Sequence, residues 1–426
     1  MMSSYSVSVI GMGYVGIPLS SLLAINCDVI GFDVDKTRIK NLINSELPVD
    51  EPDLPEYFSR AVKNKKLKFT DNVHDIKNTL IKIVTVGTPY LPGLNQIDMS
   101  QLSSALQIVV PELKKGDILL LKSTVPPGTT SGLVKEMIEK YGLKVPDEVG
   151  LAFAPERMIE GQAIRDFQNL PKIIGATDER TFSIVSELLA TLGGKVIHVS
   201  NLETAEMAKM VDNYSRYVFL ALTNELALVS EKVGVDVLEL IKAAKYDYPR
   251  NSGLLVPGPG VGGSCLNKDP FILQAEMAKN SLNLRLVGCS REVNNYMPLH
   301  VAELVKKYAG NRKYAVIFGV SFKEDTNDTR FTPSFSIEGS LKEAQFEVKM
   351  SDPFVKGDDI IPDPYVASKD SDIIVIVTAH SIYETMDLGK LYSLMNKNPL
   401  IIDARGLFDR KTATSLGFEY HGVGRL

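Results

Sequence analysis

Ser6-Val7-Ser8-Val9-Ile10 alternates small polar and β-branched residues and runs straight into Gly11-Met12-Gly13-Tyr14-Val15-Gly16. A period of two marks a half-buried strand, and a strand feeding a GxGxxG turn that opens a helix is the context of a dinucleotide-binding unit. The first glycine permits the tight turn, the second lets a pyrophosphate approach the backbone, and the third lets helix and strand pack closely. The helix N-terminus offers N–H groups and a positive dipole end to phosphates. Asp33, in Gly31-Phe32-Asp33-Val34-Asp35, follows Gly11 by 22 residues at the end of the next strand pattern. A carboxylate there bonds ribose hydroxyls and repels a 2′-phosphate. The fingerprint alone is weak, but strand, helix and acid together point to NAD rather than NADP.

Short β-branched runs alternate with helical segments over the first ~190 residues, the pattern of a parallel sheet covered by helices. Strands are expected at Ser6–Ile10, Asp28–Phe32, Ile81–Val86, Asp117–Lys122, Gly150–Ala154 and Lys172–Gly175. A helix is expected from Leu202 to Val233, with Met207, Met210, Val211, Tyr214, Val218, Leu222 and Leu226 at helical spacing. The loop Val256-Pro257-Gly258-Pro259-Gly260-Val261-Gly262-Gly263 follows, and helical pattern then resumes through about Tyr308. Strand–helix alternation returns at Tyr314–Gly319, Glu347–Ser351, Asp372–Thr378 and Leu400–Asp403. The expected plan is an α/β domain over residues 1–198, a helical middle over 199–308 and a second α/β domain over 309–426. No internal repeat or low-complexity tract interrupts it.

Composition narrows the partners. At ~150 residues per domain, 426 residues allow two or three domains. Apolar residues at 44% and charged residues at 23% are ordinary for a globular chain. A net charge of −5 argues against general nucleic-acid binding, which needs clustered Lys and Arg. No apolar run reaches the ~18 residues of a membrane span, and the N-terminal segment reads as a strand, not a signal peptide. Three cysteines, Cys27, Cys265 and Cys289, suit reduced thiols in a cytoplasmic chain better than a disulfide framework. Five scattered histidines without HExxH or CxxC make a zinc site unexpected.

Several residues carry candidate chemistry. Gly87-Thr88-Pro89 and Ser123-Thr124-Val125-Pro126-Pro127-Gly128-Thr129 fall at strand carboxyl ends, where open α/β sheets bind ligands; they are equally compatible with ordinary turns. Lys209 and Asn213 are spaced i, i+4 on one helix face. Converging there, they can stabilise an oxyanion, although such pairs are more often solvated. Cys265 lies between Gly262-Gly263-Ser264 and Leu266-Asn267-Lys268-Asp269-Pro270, where loop meets helix. A helix start and a nearby lysine favour the nucleophilic thiolate. Cys27 and Cys289, in apolar surroundings, read as packing residues. NAD with a nucleophilic cysteine can oxidise an aldehyde through a thiohemiacetal and a thioester. Glu156, in Ala154-Pro155-Glu156-Arg157, ends a strand and can activate the water that cleaves the thioester.

Taken in order, these motifs resemble the UDP-glucose/GDP-mannose dehydrogenase family of nucleotide-sugar 6-dehydrogenases over nearly the whole chain. They run from Gly11–Gly16 through Glu51-Pro52, Thr88-Pro89, Ser123–Thr129 and Ala154–Arg157 with Gly161. They continue with Glu206 to Asn213, Asn224-Glu225 and Pro257 to Pro270. Last come Gly319–Asp325, Asp328-Thr329-Arg330, Pro333-Ser334 and Asp403-Ala404-Arg405-Gly406. The resemblance implies two Rossmann-like doubly wound domains joined by a central helical region with a long helix. The first would bind NAD, the second UDP, and the middle would form a homodimer or larger assembly. The implied reaction is a four-electron oxidation of a primary alcohol to a carboxylate with two NAD. Cys265 would be the nucleophile, Lys209 and Asn213 would hold oxyanions or water, and Asp269 and Glu156 would share acid–base work. Thr124 would hold the nicotinamide side or a water. Cofactor contacts are implied at Gly11, Gly13, Tyr14, Val15, Gly16, Asp33, Arg38, Thr88 and Thr124. Substrate contacts are implied at Glu156, Arg157, Lys209, Asn213, Arg216, Gly262, Lys323 and Arg405, the last from either subunit.

Arg216, the loop Pro257–Gly263 and Arg291-Glu292-Val293-Asn294 look like the branch that oxidises UDP-N-acetylhexosamines. Ser264 stands where that branch has His, as in glucose-type enzymes, and Asn267 replaces a proline common in both. The expected substrate is UDP-N-acetylmannosamine or UDP-N-acetylglucosamine, with UDP-glucose as runner-up. A two-electron hydroxyacid dehydrogenase would need neither Cys265 nor a second α/β domain, and a silent nucleotide-sugar binder would need no nucleophile.

Overall fold

Two parallel pairings of β1 (Ser6–Ile10), with β2 (Asp28–Phe32) and β4 (Ile81–Val84), set the centre of the first sheet. This is seen in a computed structural model that describes residues 5–91 and 96–425. β3 (Leu67–Thr70) extends one edge. β7 (Ile118–Leu121), β8 (Gly150–Phe153), β9 (Lys172–Ala176) and β10 (Val196–His198) extend the other, with β5 (Tyr90–Leu91) and β6 (Gln96–Ile97) as a separate short pair. The order β3-β2-β1-β4-β7-β8 is that of a doubly wound sheet, whose winding reverses between β1 and β4. Only the β8–β9 pairing in this sheet is antiparallel among the described residues.

Strands covered on both faces read as apolar runs rather than alternating ones. Every residue of β4, β7 and β8 is buried. Alternate positions feed opposite layers. Ile81, Ile83, Ile118 and Leu120 pack with Leu19, Leu23 and Phe58 on one side, and Val84, Leu119 and Leu121 with Leu102 and Leu106 on the other.

The second sheet repeats the plan. β11 (Tyr314–Phe318), β12 (Glu347–Ser351), β13 (Ile360–Ile361), β14 (Ile373–Ile376), β15 (Leu400–Asp403) and β16 (Glu419–Gly422) lie in the order β13-β12-β11-β14-β15-β16. All its pairings are parallel. The fold is therefore α/β with two Rossmann-like doubly wound sheets and a long helix, Leu202–Val233, in the chain between them.

The chain divides into two compact units, residues 1–212 with Ala275–Asn280, and Asn213–Gln274 with Ser281–Leu426. The division falls inside the long helix, so Lys209 belongs to the first unit and Asn213 to the second.

Some expectations need correction. The strand expected at Ile81–Val86 ends at Val84, because the Thr85 hydroxyl turns back to the carbonyls of Ile10 and Gly11 at 3.0 and 2.9 Å. The segments expected at Asp117–Lys122 and Gly150–Ala154 shorten to Ile118–Leu121 and Gly150–Phe153. The helical stretch before Tyr308 is two helices, Asp269–Lys279 and Arg285–Tyr308. Cys27 is buried as expected, but Cys289 is exposed. An apolar run on a helix spans both faces: Val287 is buried while Leu286 and Cys289 point outward. No helix among the described residues is long and apolar enough to cross a membrane. Among the described residues, no group of three or more His, Cys, Asp or Glu could hold a metal ion.

Candidate active site

The three fingerprint glycines meet different surroundings. Gly11 has φ +98°, a left-handed conformation that glycine adopts without strain. A Cβ on Gly16 would stand 1.9 Å from the Gly11 carbonyl oxygen, so the helix approaches the turn too closely for any side chain. A Cβ on Gly13 would meet nothing within 4 Å. Its constraint is the space outside, where a pyrophosphate would lie.

Asp33 is buried at the end of β2. Its Oδ2 accepts from the Met12 N–H and from Arg38 Nη1, both at 2.8 Å, and its Oδ1 accepts from the Asp35 N–H at 3.0 Å. The carboxylate thus holds the fingerprint turn in place. The open face of Gly13, the helix start and this buried acid fit NAD, with Gly11, Gly13, Gly16, Asp33 and Arg38 as the residues that would hold it. Val15 precedes the helix and accepts from Leu19 N–H. The Tyr14 hydroxyl donates to Glu51, and burial followed by that bond raises its pKa. Glu51 also accepts from the N–H groups of Gly161 and Ala163 at 2.6 and 3.0 Å. This buried acid ties the fingerprint turn to the chain just after Glu156. The Glu51-Pro52 motif marked it in sequence without revealing its partners.

The loops after β4 and β7 are bonded together. Thr88 Oγ1 donates to the Thr124 carbonyl at 2.5 Å, and Ser123 Oγ to the Val86 carbonyl at 2.7 Å. Glu206, fully buried on the long helix, accepts from Gly128 N, Thr130 N and Thr130 Oγ1 at 2.5, 2.9 and 2.6 Å. Burial raises its pKa against those bonds. Lys209, one turn later, is buried too. Glu156 Oε1 accepts from the N–H groups of Arg157 and Met158 at 2.9 and 3.0 Å, while Oε2 lies 3.2 Å from Lys122 Nζ. Arg157 grips Asp212 through Nε at 2.6 Å and Nη2 at 3.2 Å. The first unit therefore holds Thr88, Thr124, Glu156, Arg157 and Lys209 beside the fingerprint's own sheet.

The second unit gathers the cysteine loop. Cys265 is exposed, and its carbonyl accepts from Lys268 and Asp269 N–H at 3.2 and 2.9 Å, which starts the next helix. Asp269 is fully buried and accepts from Asn213 Nδ2 at 2.6 Å. Asn267 Nδ2 donates to the carbonyls of Val261 and Gly263, both at 2.9 Å, closing the loop on itself. Asn224 anchors the loop's start by accepting from Gly258 N–H at 2.9 Å and donating to Asn294 at 3.0 Å. Gly262 and Gly263 pack against Phe322, where any Cβ would stand 2.4 to 2.6 Å from the ring side chain. Lys323 follows that phenylalanine. Arg405 pairs with Glu324 and lies against Gly258, so Gly262, Lys323 and Arg405 of one chain share this region. Arg216 is on the exposed face of the long helix.

Sequence profiles of the UDP-glucose/GDP-mannose dehydrogenase family match in chain order. The NAD binding domain covers residues 5–193, the central domain 203–296 and the UDP binding domain 316–410. A UDP-N-acetyl-D-mannosamine dehydrogenase of Methanocaldococcus jannaschii is 32% identical, over 98% of this chain and 96% of its own. The structure of UDP-D-ManNAc dehydrogenase from Pyrococcus horikoshii superposes with a TM-score of 0.89 at 30% identity, covering 99% of both chains. That of a UDP-glucose dehydrogenase from Pyrobaculum islandicum gives 0.88 at 26% identity, covering 100% of this chain and 99% of that one. With its two Rossmann-like sheets and its NAD fingerprint, the chain belongs to the UDP-glucose/GDP-mannose dehydrogenase family and is an NAD-dependent nucleotide-sugar dehydrogenase.

Proposed function

We propose that the protein oxidises the primary alcohol of a UDP-N-acetylhexosamine, UDP-N-acetylmannosamine or UDP-N-acetylglucosamine, to the carboxylate through a cysteine-bound thioester. The observation that carries this reading is the cluster of exposed Cys265, buried Asp269 and half-buried Asn213, with the cysteine carbonyl and the asparagine amide both held by Asp269. NAD, when bound, accepts the hydride in each of the two oxidations.

In the first oxidation the alcohol's O–H proton passes to one of the two acid–base residues, Asp269 or Glu156, while Lys209 and Asn213 stabilise the negative charge that develops on the sugar oxygen; Asp269 also holds Asn213 in place. Cys265 Sγ adds to the aldehyde carbon and its proton passes to a neighbouring base. Loss of the second hydride leaves the thioester. Glu156 then takes a proton from the attacking water, and the carbon–sulfur bond breaks to release thiol and carboxylate. Thr124 orients the cofactor side, Arg157, Arg216 and Gly262 line the sugar, and Lys323 and Arg405 hold the diphosphate. The three-part assignment over residues 1–198, 199–308 and 309–426 follows from this division of labour. The outward apolar residues Leu222, Val229 and Val233 of the long helix suit a homodimer. Reduced cysteines and NAD chemistry suit the cytoplasm.

The test compares NADH formation from UDP-N-acetylmannosamine, UDP-N-acetylglucosamine and UDP-glucose side by side. Two NADH per sugar from an acetamido sugar, with no carboxylate from C265S, supports the reading. One NADH per sugar, unaffected in C265A, removes the thioester. A clear preference for UDP-glucose moves the assignment to the glucose branch, the second reading, with which the Pyrobaculum likeness and Ser264 are compatible.

A further inference from the structure

A fully buried Asp–His pair lies under the second sheet's carboxyl edge, and none of the roles above uses it. Asp352 follows β12, and His380 precedes the short helix Ser381–Glu384. Both side chains are 0% exposed. Asp352 Oδ2 accepts from Val320 N–H at 2.7 Å, Ser321 N–H at 2.9 Å and His380 Nε2 at 3.0 Å. Its Oδ1 accepts from Phe354 and Val355 N–H at 2.8 and 3.0 Å. On the opposite side of the ring, His380 Nδ1 accepts the Asp325 N–H at 2.9 Å.

These bonds fix the imidazole's state. Nδ1 faces a donor and must carry the lone pair, so the proton sits on Nε2 and the ring is neutral. They also enclose one loop. The N–H groups of Val320 and Ser321 sit at its entrance and that of Asp325 at its exit, with Lys323 and Glu324 between them. Glu324 pairs with Arg405. One Asp–His unit therefore clamps both ends of the loop that presents Lys323 and the partner of Arg405.

We propose that Asp352 and His380 are positioning residues for nucleotide-diphosphate binding, holding the Lys323 loop at both ends. This rests on the reading that Lys323 and Arg405 hold the UDP moiety. The groups facing the ring are Asp352, the Asp325 carboxylate at 3.8 Å, Ser321 Oγ at 3.4 Å, and the Phe354 and Tyr383 rings. Asp325 Oδ1 is itself engaged by Ser381 N–H and Oγ at 2.9 and 3.0 Å. Tyr383 donates to the Ser351 carbonyl at 3.3 Å and burial raises its pKa, so it stays neutral.

UDP titrated calorimetrically into the full-length protein tests this, together with steady-state kinetics. H380L, which lacks the acceptor, should weaken UDP about tenfold and raise the sugar-nucleotide KM alike, with kcat and the KM for NAD unchanged. H380N retains an oxygen near Nδ1 and should restore UDP affinity to within about threefold of wild type. Wild-type UDP affinity in H380L, no recovery in H380N, or a loss shared by kcat and NAD binding would each overturn the proposal. K323A is the control: unchanged UDP binding there removes the underlying reading, whereas weakened binding in K323A with normal H380L removes the clamp alone.

Discussion

Asn213 donates to Asp269 Oδ2 at 2.6 Å, and the backbone N–H of the same aspartate bonds the carbonyl of Cys265 at 2.9 Å. One buried residue thus sets both the amide on the long helix and the start of the helix after the cysteine. Lys268 Nζ stands 3.6 Å from the other carboxylate oxygen. D269N keeps the shape and an acceptor for Asn213 but removes the charge. It should lower turnover by about 10²-fold while its melting temperature stays near wild type. D269A should lower both, because it leaves Asn213 without its buried acceptor. Turnover and thermal melts on the two variants decide; wild-type turnover in D269N would exclude an acid–base role for Asp269.

The glycines of the fingerprint should separate binding from folding. In G16A the new Cβ would sit 1.9 Å from the Gly11 oxygen, so the helix must move. A destabilisation of about 3 kcal/mol or a failure to fold is expected, as in an overpacked core. G13A meets no neighbour, so its melting temperature should stay within about 2 °C of wild type. Its NAD affinity should nonetheless fall at least about tenfold, because the methyl occupies the phosphate's approach. Calorimetric NAD titration measures it, and undiminished NAD binding in G13A would place the pyrophosphate elsewhere.

Legibility in the sequence followed physical regularity. The long helix came out at Leu202–Val233 because its apolar residues repeat at helical spacing, and the central strands were evident as unbroken apolar runs. β13 has two residues, and β16 reads Glu-Tyr-His-Gly, so neither carries a period to detect. Cys289 misled because an apolar run in a helix does not say which residues face inward. The fingerprint was legible because close backbone approach demands glycine. Glu51, Glu206 and the Asp352–His380 pair were not legible as anchors. Their partners are mostly backbone N–H groups far away in sequence, which leave no residue pattern.

Lys122 should be needed for the stability of the first unit. Its ammonium, 3% exposed, stands 3.2 Å from Glu156 Oε2 and bonds the Ala154 carbonyl at 3.2 Å. Nearby Lys172 is pushed down to about 8 by burial and then by the like charge of Lys122, against the pull of Glu156. K122M strands the Glu156 carboxylate in a small cavity shared with Lys172. A loss of about 3 kcal/mol is expected, the usual cost of breaking a buried pair from one side. Pairing the change with E156Q should recover part of it, because the stranded charge is then gone. Urea unfolding of the two single variants and the double variant measures the coupling; strictly additive losses would mean that the pair contributes nothing.

Acid should unfold the second unit through Asp352. Burial alone would raise this carboxyl. The bond from His380 and those from the Ser321 and Phe354 N–H groups outweigh it and bring the pKa from the ordinary 3.8 to about 2. A folded-state pKa below the unfolded one means that the unfolded chain binds the proton first as pH falls. The stabilisation is therefore complete above about pH 4 and is lost between pH 4 and 2. The shift corresponds to about 2 kcal/mol, and the side chain's complete burial leaves no solvent screening to discount. D352N cannot take up that proton, so its unfolding free energy should fall less steeply over the same interval, although it starts lower at neutral pH. Urea midpoints measured from pH 5 to pH 2 in both proteins give the two slopes, and identical slopes would show that another carboxylate governs acid unfolding.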